Sequence, residues 1–367
     1  MKSRTPLSNK MMRLGILVLA SLAVAGPAIA ATGSFTGLGF LNPSFPSSTN
    51  PYVDADGTVV AGTSNYADGL NEAFVWTPSG GIVGLGFANR THESAAGGIS
   101  ANGQVVDGTA QGTEQGDITF VAFWWSAKTG MEAFNDQKAA TGAFGLNRNG
   151  SMMAGNEGEE ALRWTKGNIH AESLGFLGEA NSESGISLET GMDATGDNIV
   201  GSSSTSTAGQ SEAFIWNGRM TALGFPGSDN LSFANGIGGD AKTVVGYGRM
   251  TDSDETTAFY WTLLGGIQAL SGPAGLPYTV ANAVSNNGAV IVGCATASAT
   301  AGTGDQAVMW NSQHIPKTIA SVAAKDGISI TGWTLTCATS VSAGGKTIVG
   351  NGIDPDGHNQ AWLLQLP

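Results

Sequence analysis

One short phrase, a pair of β-branched or long apolar residues within the three positions before a glycine, returns seven times along this chain. Its closing glycines are Gly62, Gly108, Gly155, Gly201, Gly246, Gly293 and Gly350, spaced 46, 47, 46, 45, 47 and 57 residues apart. A near-constant period of this size marks a repeat array, in which each unit is one supersecondary element that buries its apolar face only against its neighbours. Length alone would suggest two or three ordinary domains, and the period overrides that reading. The copies are numbered here repeat 1 to repeat 7.

Each copy divides into four strand-sized segments. The first ends in a turn such as Asp56-Gly57, Asn102-Gly103, Asn149-Gly150 or Asn287-Gly288, pairs that suit tight hairpins because both residues tolerate positive φ. The second is β-branched, as in Val59-Val60, Val105-Val106, Ile199-Val200 and Val244-Val245. The third carries two large residues two positions apart, Phe74 and Trp76, Phe123 and Trp125, Phe214 and Trp216, Phe259 and Trp261; that spacing puts both on one face of a strand. The fourth ends in Leu-Gly-Phe or a variant, as at Leu85-Gly86-Phe87, Leu174-Gly175-Phe176 and Leu223-Gly224-Phe225.

The fourth-strand phrase also stands before the first full copy, at Leu38-Gly39-Phe40, while the last copy stops after its third segment at Trp362–Pro367. An N-terminal strand can therefore complete the last sheet and remove an open edge. The expected fold is all-β: a seven-bladed β-propeller with four short antiparallel strands per blade, its ring closed by the N-terminal strand. A β-solenoid of similar period is the alternative. No segment downstream of residue 30 shows helical periodicity. Phe-x-Trp pairs and strand glycines such as Gly98, Gly145, Gly191 and Gly236 read as blade-to-blade packing rather than as a ligand cage.

The first thirty residues are of another kind. Lys2, Arg4, Lys10 and Arg13 precede an uncharged apolar run from Leu14 to Ala25, and Ala28-Ile29-Ala30 fits a small-residue cleavage site. Residues 1–30 thus read as a secretory signal peptide and 31–367 as one propeller domain. The expected location is exported, periplasmic or extracellular, with no membrane span in the mature chain. Downstream of residue 30 there are 12 Lys and Arg against 29 Asp and Glu, a net charge of −17. That balance argues against nucleic acid and anionic membrane surfaces. The two cysteines, Cys294 and Cys337, read as one disulfide in an exported chain; the second segment of repeat 6 ends at the first and the first segment of repeat 7 holds the second.

The pattern Ser-x-Asn-Gly-x-x-Val-x-Gly followed by Ala-Phe-x-Trp resembles that of the HAF-repeat family of bacterial extracellular proteins, named for a His-Ala-Phe tripeptide. The matching tripeptides are Glu72-Ala73-Phe74, Glu212-Ala213-Phe214 and Thr257-Ala258-Phe259, and the run from Gly332-Trp333-Thr334 to Ala361-Trp362 resembles the usual ending of such proteins. No copy has His in the tripeptide. That position precedes the packing residues, so no loss is expected. The resemblance implies an exported propeller and adds no activity.

Chemistry is sparse. His92, His170, His314 and His358 fall at different places in their repeats, without metal-ligand spacing. No nucleophile elbow and no phosphate loop appears. The segments between second and third strands (63–71, 109–118, 202–211, 248–256 and 295–305) are longer and unlike one another. They fall on one face of a propeller, and variable connections on a rigid scaffold are where binding resides. Candidate ligand-binding residues there are Asp252, Asp254, Asp354, Asp356 and His358, with His92 on the same side. The Asp-x-Asp pairs would suit Ca²⁺ if any ion is bound, although Asx turns account for them more simply; no other cofactor is expected. The leading expectation is a non-catalytic binding or scaffold propeller for a polysaccharide or a surface protein. A central-channel hydrolase or oxidoreductase, and a structural extracellular or matrix component, are the alternatives.

Overall fold

The computed structural model describes residues 32–88, 91–114, 117–134, 141–168, 170–178, 184–185, 191–299 and 305–367. The expected signal peptide lies outside the described residues, as do parts of the 109–118 and 295–305 connections. The chain is a β-propeller built from antiparallel meanders. In repeat 1 the strands are Ser48–Val53, Val60–Ala67, Leu70–Thr77 and Gly81–Gly84, paired in that order. Apolar residues from all seven repeats, among them Val53, Ile99, Met192 and Val341, converge on a single axis.

The ring closes through its termini. Ser34–Gly37 lies antiparallel on Asn359–Gln365, with Ser34 opposite Gln365 and Gly37 opposite Trp362. Leu38 then donates its N–H to the Ala361 carbonyl at 2.9 Å. A girdle of backbone hydrogen bonds links neighbouring first-to-second-strand turns near the axis: Ala55 to Ala101, Arg148 to Ala194, Asp240 to Asn286, Asn286 to Ala343, and Ala343 back to Ala55.

The sheets do not separate into the seven expected blades. Among the described residues there are five four-stranded sheets and one eight-stranded sheet. The large sheet holds repeats 4 and 5, joined by one parallel bridge between Ser211 and Leu231. Those residues start the third strand of one repeat and the first strand of the next. A second departure is a helix, Ile319–Lys325. Thr318 caps it by accepting from the Ser321 N–H, and Ile319 and Ala323, one turn apart, are buried. Seven residues are too few to register as a period. The helix lies in the stretch that lengthens the last spacing to 57.

Packing follows the third strand. Phe74, Phe123, Phe214 and Phe259 are all fully buried. Phe123 packs with Ala61, Ala73 and Leu85 of the preceding repeat, and Phe74 with Val349, Ala361 and Leu363 across the closure. Buried hydroxyls stitch consecutive repeats. Ser94 accepts the Ala73 N–H at 3.0 Å and donates to the Gly86 carbonyl at 2.9 Å. Ser232 and Thr279 make the same pair of bonds in their repeats. The first position of the tripeptide contributes as well, since Glu72 and Glu212 accept the N–H groups of Gly86 and Gly224, each at 2.8 Å.

The first-to-second-strand turn of repeat 1 is held by one carboxylate. Asp54 Oδ1 accepts from the N–H groups of Gly57, Thr58 and Val59, and Gly57 takes φ 82°. In repeat 5 the glycine position is occupied by Ala241 at φ 59°, where an L side chain is strained by about 1–2 kcal/mol. Ala241→Gly is expected to stabilise the chain by about 0.5–1 kcal/mol after the greater freedom of glycine in the unfolded state is subtracted. Urea denaturation of the two chains measures this, and a loss of stability would mean the turn is not strained.

Candidate ligand-binding cleft

The candidate residues named from sequence do not form one site. Asp252 and Asp254 are exposed on the turn between Thr243–Arg249 and Thr256–Thr262 and join no cluster of metal-ligating groups among the described residues. His92 is exposed, and its carbonyl rather than its ring is engaged, accepting from Tyr66 Oη at 2.8 Å. Asp354, Asp356 and His358 do gather, with ligand atoms within 4.8 Å of one another. Asp354 Oδ1 accepts the N–H groups of Asp356 and His358, while Oδ2 faces His358 Nδ1 at 3.3 Å and Gln360 Nε2 at 3.2 Å. Burial raises the Asp354 carboxyl, but these bonds more than offset it and hold the group below its ordinary value. Most of its acceptor capacity is thus spent on its own turn. Cys294 and Cys337 are disulfide-bonded with Cα atoms 4.7 Å apart, tying repeats 6 and 7 together.

In repeats 1 and 2 the segments read as variable loops are largely paired strand, while those of repeats 4 and 5 leave 205–210 and 250–255 outside the strands. In repeat 1 the pairing runs out to Ala67 opposite Leu70, and in repeat 2 to Glu114 opposite Asp117. These hairpins project from one face, and a cleft of about 300 Å³ lies among repeats 1, 2 and 3 at their feet. Thr109, Gln111 and Phe120 come from the repeat 2 hairpin, Asn71 from that of repeat 1, and Asn50, Tyr52, Glu93 and Phe144 from the first strands. None of them stands out in the sequence as a ligand-binding residue.

The cleft has a local cause. First strands are bulged at matching positions, between Ala96 and Gly98, Ala143 and Gly145, Ala234 and Gly236, Ala281 and Ala283, and Ala338 and Ser340. A bulge re-aims its extra residue. In repeats 5, 6 and 7 that residue reaches the next first strand: Asn235 Nδ2 donates to the Ala281 carbonyl, Asn282 Nδ2 to Ala338, and Thr339 Oγ1 to Pro51. In repeats 2 and 3 the bulged residues are Gly97 and Phe144, which offer no polar stitch. A Cβ on Gly97 would stand 2.0 Å from the Ala143 carbonyl oxygen. Both residues line the cleft.

Its polar groups are amides, hydroxyls and one carboxylate. Glu93 Oε2 accepts from Asn71 through both N–H (3.2 Å) and Nδ2 (3.4 Å). Asn50 holds φ 50° and exchanges bonds with Asn351 of repeat 7. Below the cleft, on the same face of the second strand as Thr109 and Gln111, lies Asp107, fully buried. Its Oδ2 accepts the Gly145 N–H at 2.9 Å, and Oδ1 has no partner among the described residues. Burial pushes this carboxyl up to about 7, against the pull of the Gly145 N–H. The opposite end of the axis is a small hollow of about 130 Å³, walled mainly by the apolar first-strand residues. Asp54 and Asp193, at its edge, commit their Oδ1 atoms to their own turns.

No protein-family model matches the chain, and no curated protein does. Solved structures share its fold. The β-propeller domain of the trilobed protease from Pyrococcus furiosus, described as having an open velcro topology, aligns with a TM-score of 0.55 at 10% identity, over 86% of this chain and 94% of that one. An oligogalacturonate lyase in complex with manganese aligns with a TM-score of 0.53 at 10% identity, over 92% of this chain and 98% of that one. A prolyl endopeptidase aligns with a TM-score of 0.51 at 11% identity, over 74% of this chain and 42% of that one. At these identities the likeness is one of fold, a β-propeller.

Proposed function

We propose that this chain is an exported, non-catalytic binding propeller of the HAF-repeat kind, holding a polysaccharide on the face that carries its long hairpins. The observation that carries the reading is the cleft among repeats 1 to 3. Aromatic rings, amides and hydroxyls in a recess of about 300 Å³ match the makeup of small-ligand sites, which join apolar walls to a few placed polar groups. We read the eight-stranded sheet as two blades, because a lone parallel bridge joins its two meanders, and on that reading the propeller has seven. Export rests on the basic, apolar and small-residue order of residues 1–30.

The test is the melting midpoint of the chain from Ala31 onward, with and without a panel of soluble polysaccharides. A ligand that binds only the folded state raises the midpoint. The expected result is a rise with at least one glycan that is lost in Phe120→Ala. A flat panel would remove the polysaccharide reading and favour a structural role, to which the exposed Leu263 and Leu264 at the tip of repeat 5 would then point. The same melts with Ca²⁺ and with Asp356→Asn test the Asp354 cluster as a metal site.

A further inference from the structure

We infer that the cleft among repeats 1 to 3 selects a glycan bearing free amino groups, with Glu93 as the partner of the ammonium and Phe120 and Phe144 as its aromatic walls. The inference rests on the binding reading above and names the ligand class for that site.

Charge is the first argument. Glu93 is the one side chain charged at neutral pH among the described residues that line the cleft, and no Lys or Arg is among them. Both hydrogen bonds to Glu93 go to Oε2, which leaves Oε1 for a donor. Between positions 46 and 147 the sequence has ten acidic residues, of which Asp54 and Asp107 are buried, and three basic ones. Of those three, Lys128 sits in the turn at the other face of the repeat 2 sheet, and Arg90 and Lys138 lie outside the described residues. Such a surface draws cations and repels uronates or sulfated sugars.

The second argument is the kind of group beside that charge. Phe120 and Phe144 present partly exposed rings, and an aromatic face next to a carboxylate attracts an ammonium through both its quadrupole and the ion. The amides of Asn50, Asn71 and Gln111 and the hydroxyl of Thr109 donate and accept, as the hydroxyls of a sugar ring demand. A bare metal ion would find one carboxylate and no second charged ligand here. A hexosamine unit with its amine unacetylated uses the carboxylate, the rings and the amides together.

Three probes decide it by calorimetry on the chain from Ala31 onward: a β-1,4-glucosamine tetramer, its fully N-acetylated counterpart, and a galacturonate tetramer. The glucosamine tetramer is expected to bind at least about tenfold tighter than the acetylated one, as a charge-assisted bond replaces a neutral one, with no binding of galacturonate. Glu93→Gln keeps an acceptor for Asn71, so its unliganded melt should match the parent while its preference for the free amine is lost. Phe120→Ala should weaken both glucosamine forms. Glu132→Gln, an exposed acid on the outer strand of the same sheet, should change nothing. If Glu132→Gln weakens binding as much as Glu93→Gln does, the attraction is diffuse surface charge and the inference falls. If the acetylated tetramer binds as tightly and Phe120→Ala weakens it, the amine assignment falls while the cleft remains a glycan site. If none of the probes binds and the polysaccharide panel is flat, both readings fall.

Discussion

A chain lacking Thr32–Leu38 is expected to lose on the order of 5 kcal/mol of stability, and its midpoint to drop by roughly 10 °C. Four residues, Ser34 to Gly37, pair with the last strand. Their removal strips hydrogen bonds from Asn359–Gln365 and exposes a strand whose centre is Trp362-Leu363-Leu364. Leu38, 3% exposed, leaves the cluster it forms with Val60, Phe74 and Leu363. Burying one such leucine contributes about 1.5–3 kcal/mol. Phe35, which meets Trp333 edge-on at 5.1 Å, adds a further share. Because net stabilities run to about 5–15 kcal/mol, this loss is large for one short strand. The newly open edge is also a template for another chain, so light scattering should rise along with the drop in melting temperature. A synthetic peptide spanning Thr32–Phe40, added in excess, is expected to restore much of the midpoint by occupying the edge. An unchanged midpoint after truncation would show that the ring does not depend on its N-terminal strand.

This closure was legible in the sequence because it is a local phrase displaced along the chain: Leu38-Gly39-Phe40 reads as a fourth strand without the other three. The third-strand pattern was legible for a similar reason, since Phe74, Phe123, Phe214 and Phe259 recur with the period and all prove fully buried. What repeats is visible; what breaks the repeat is not. The cleft arises where Gly97 and Phe144 stand in positions held elsewhere by Asn235, Asn282 and Thr339; each stands eleven residues before its closing glycine, so the copies align there, but only the structure shows that the bulge turns these residues toward the next repeat. Gln111 and Thr109 read as loop residues because the hairpin of repeat 2 runs past the common strand length. The joining of repeats 4 and 5 turns on one bridge between Ser211 and Leu231, which no propensity encodes. Asp252 and Asp254 stand out as paired acids, and a turn satisfies them without a ligand. A deviation inside the repeated phrase itself is Asp107, where repeats 1 and 3 have Ala61 and Ala154 and repeats 4 to 7 have Val200, Val245, Val292 and Val349.

Asp107 should make this protein less stable as pH rises from 4 to 8, and Asp107→Asn should remove that slope. The carboxyl is fully buried with one oxygen unpartnered among the described residues, and burial pushes it up to about 7 from an ordinary value of 3.8. Between those two values the folded chain keeps a proton on Asp107 that the unfolded chain has released. Stability falls with pH wherever the folded state binds more protons, so the protein is most stable below the unfolded value and loses this contribution progressively up to about pH 7. A shift of this size corresponds to up to about 4 kcal/mol across the window. Asp54, raised to about 6 chiefly by burial, contributes a slope of the same sign, so the parent's profile alone does not isolate Asp107. The gap between parent and variant does. Asn has nearly the shape of the protonated acid, and its carbonyl oxygen can still accept the Gly145 N–H, so the two chains should be close in stability at pH 4. The variant should then gain steadily on the parent and lead by up to about 4 kcal/mol at pH 8. Asp107→Ala, with the residue that repeats 1 and 3 carry, provides a second uncharged version in which no polar atom is buried. Urea denaturation at half-unit pH steps measures all three. If the parent and both variants run parallel from pH 4 to 8, Asp107 is ionised in the folded chain, and an unseen donor must reach its free oxygen.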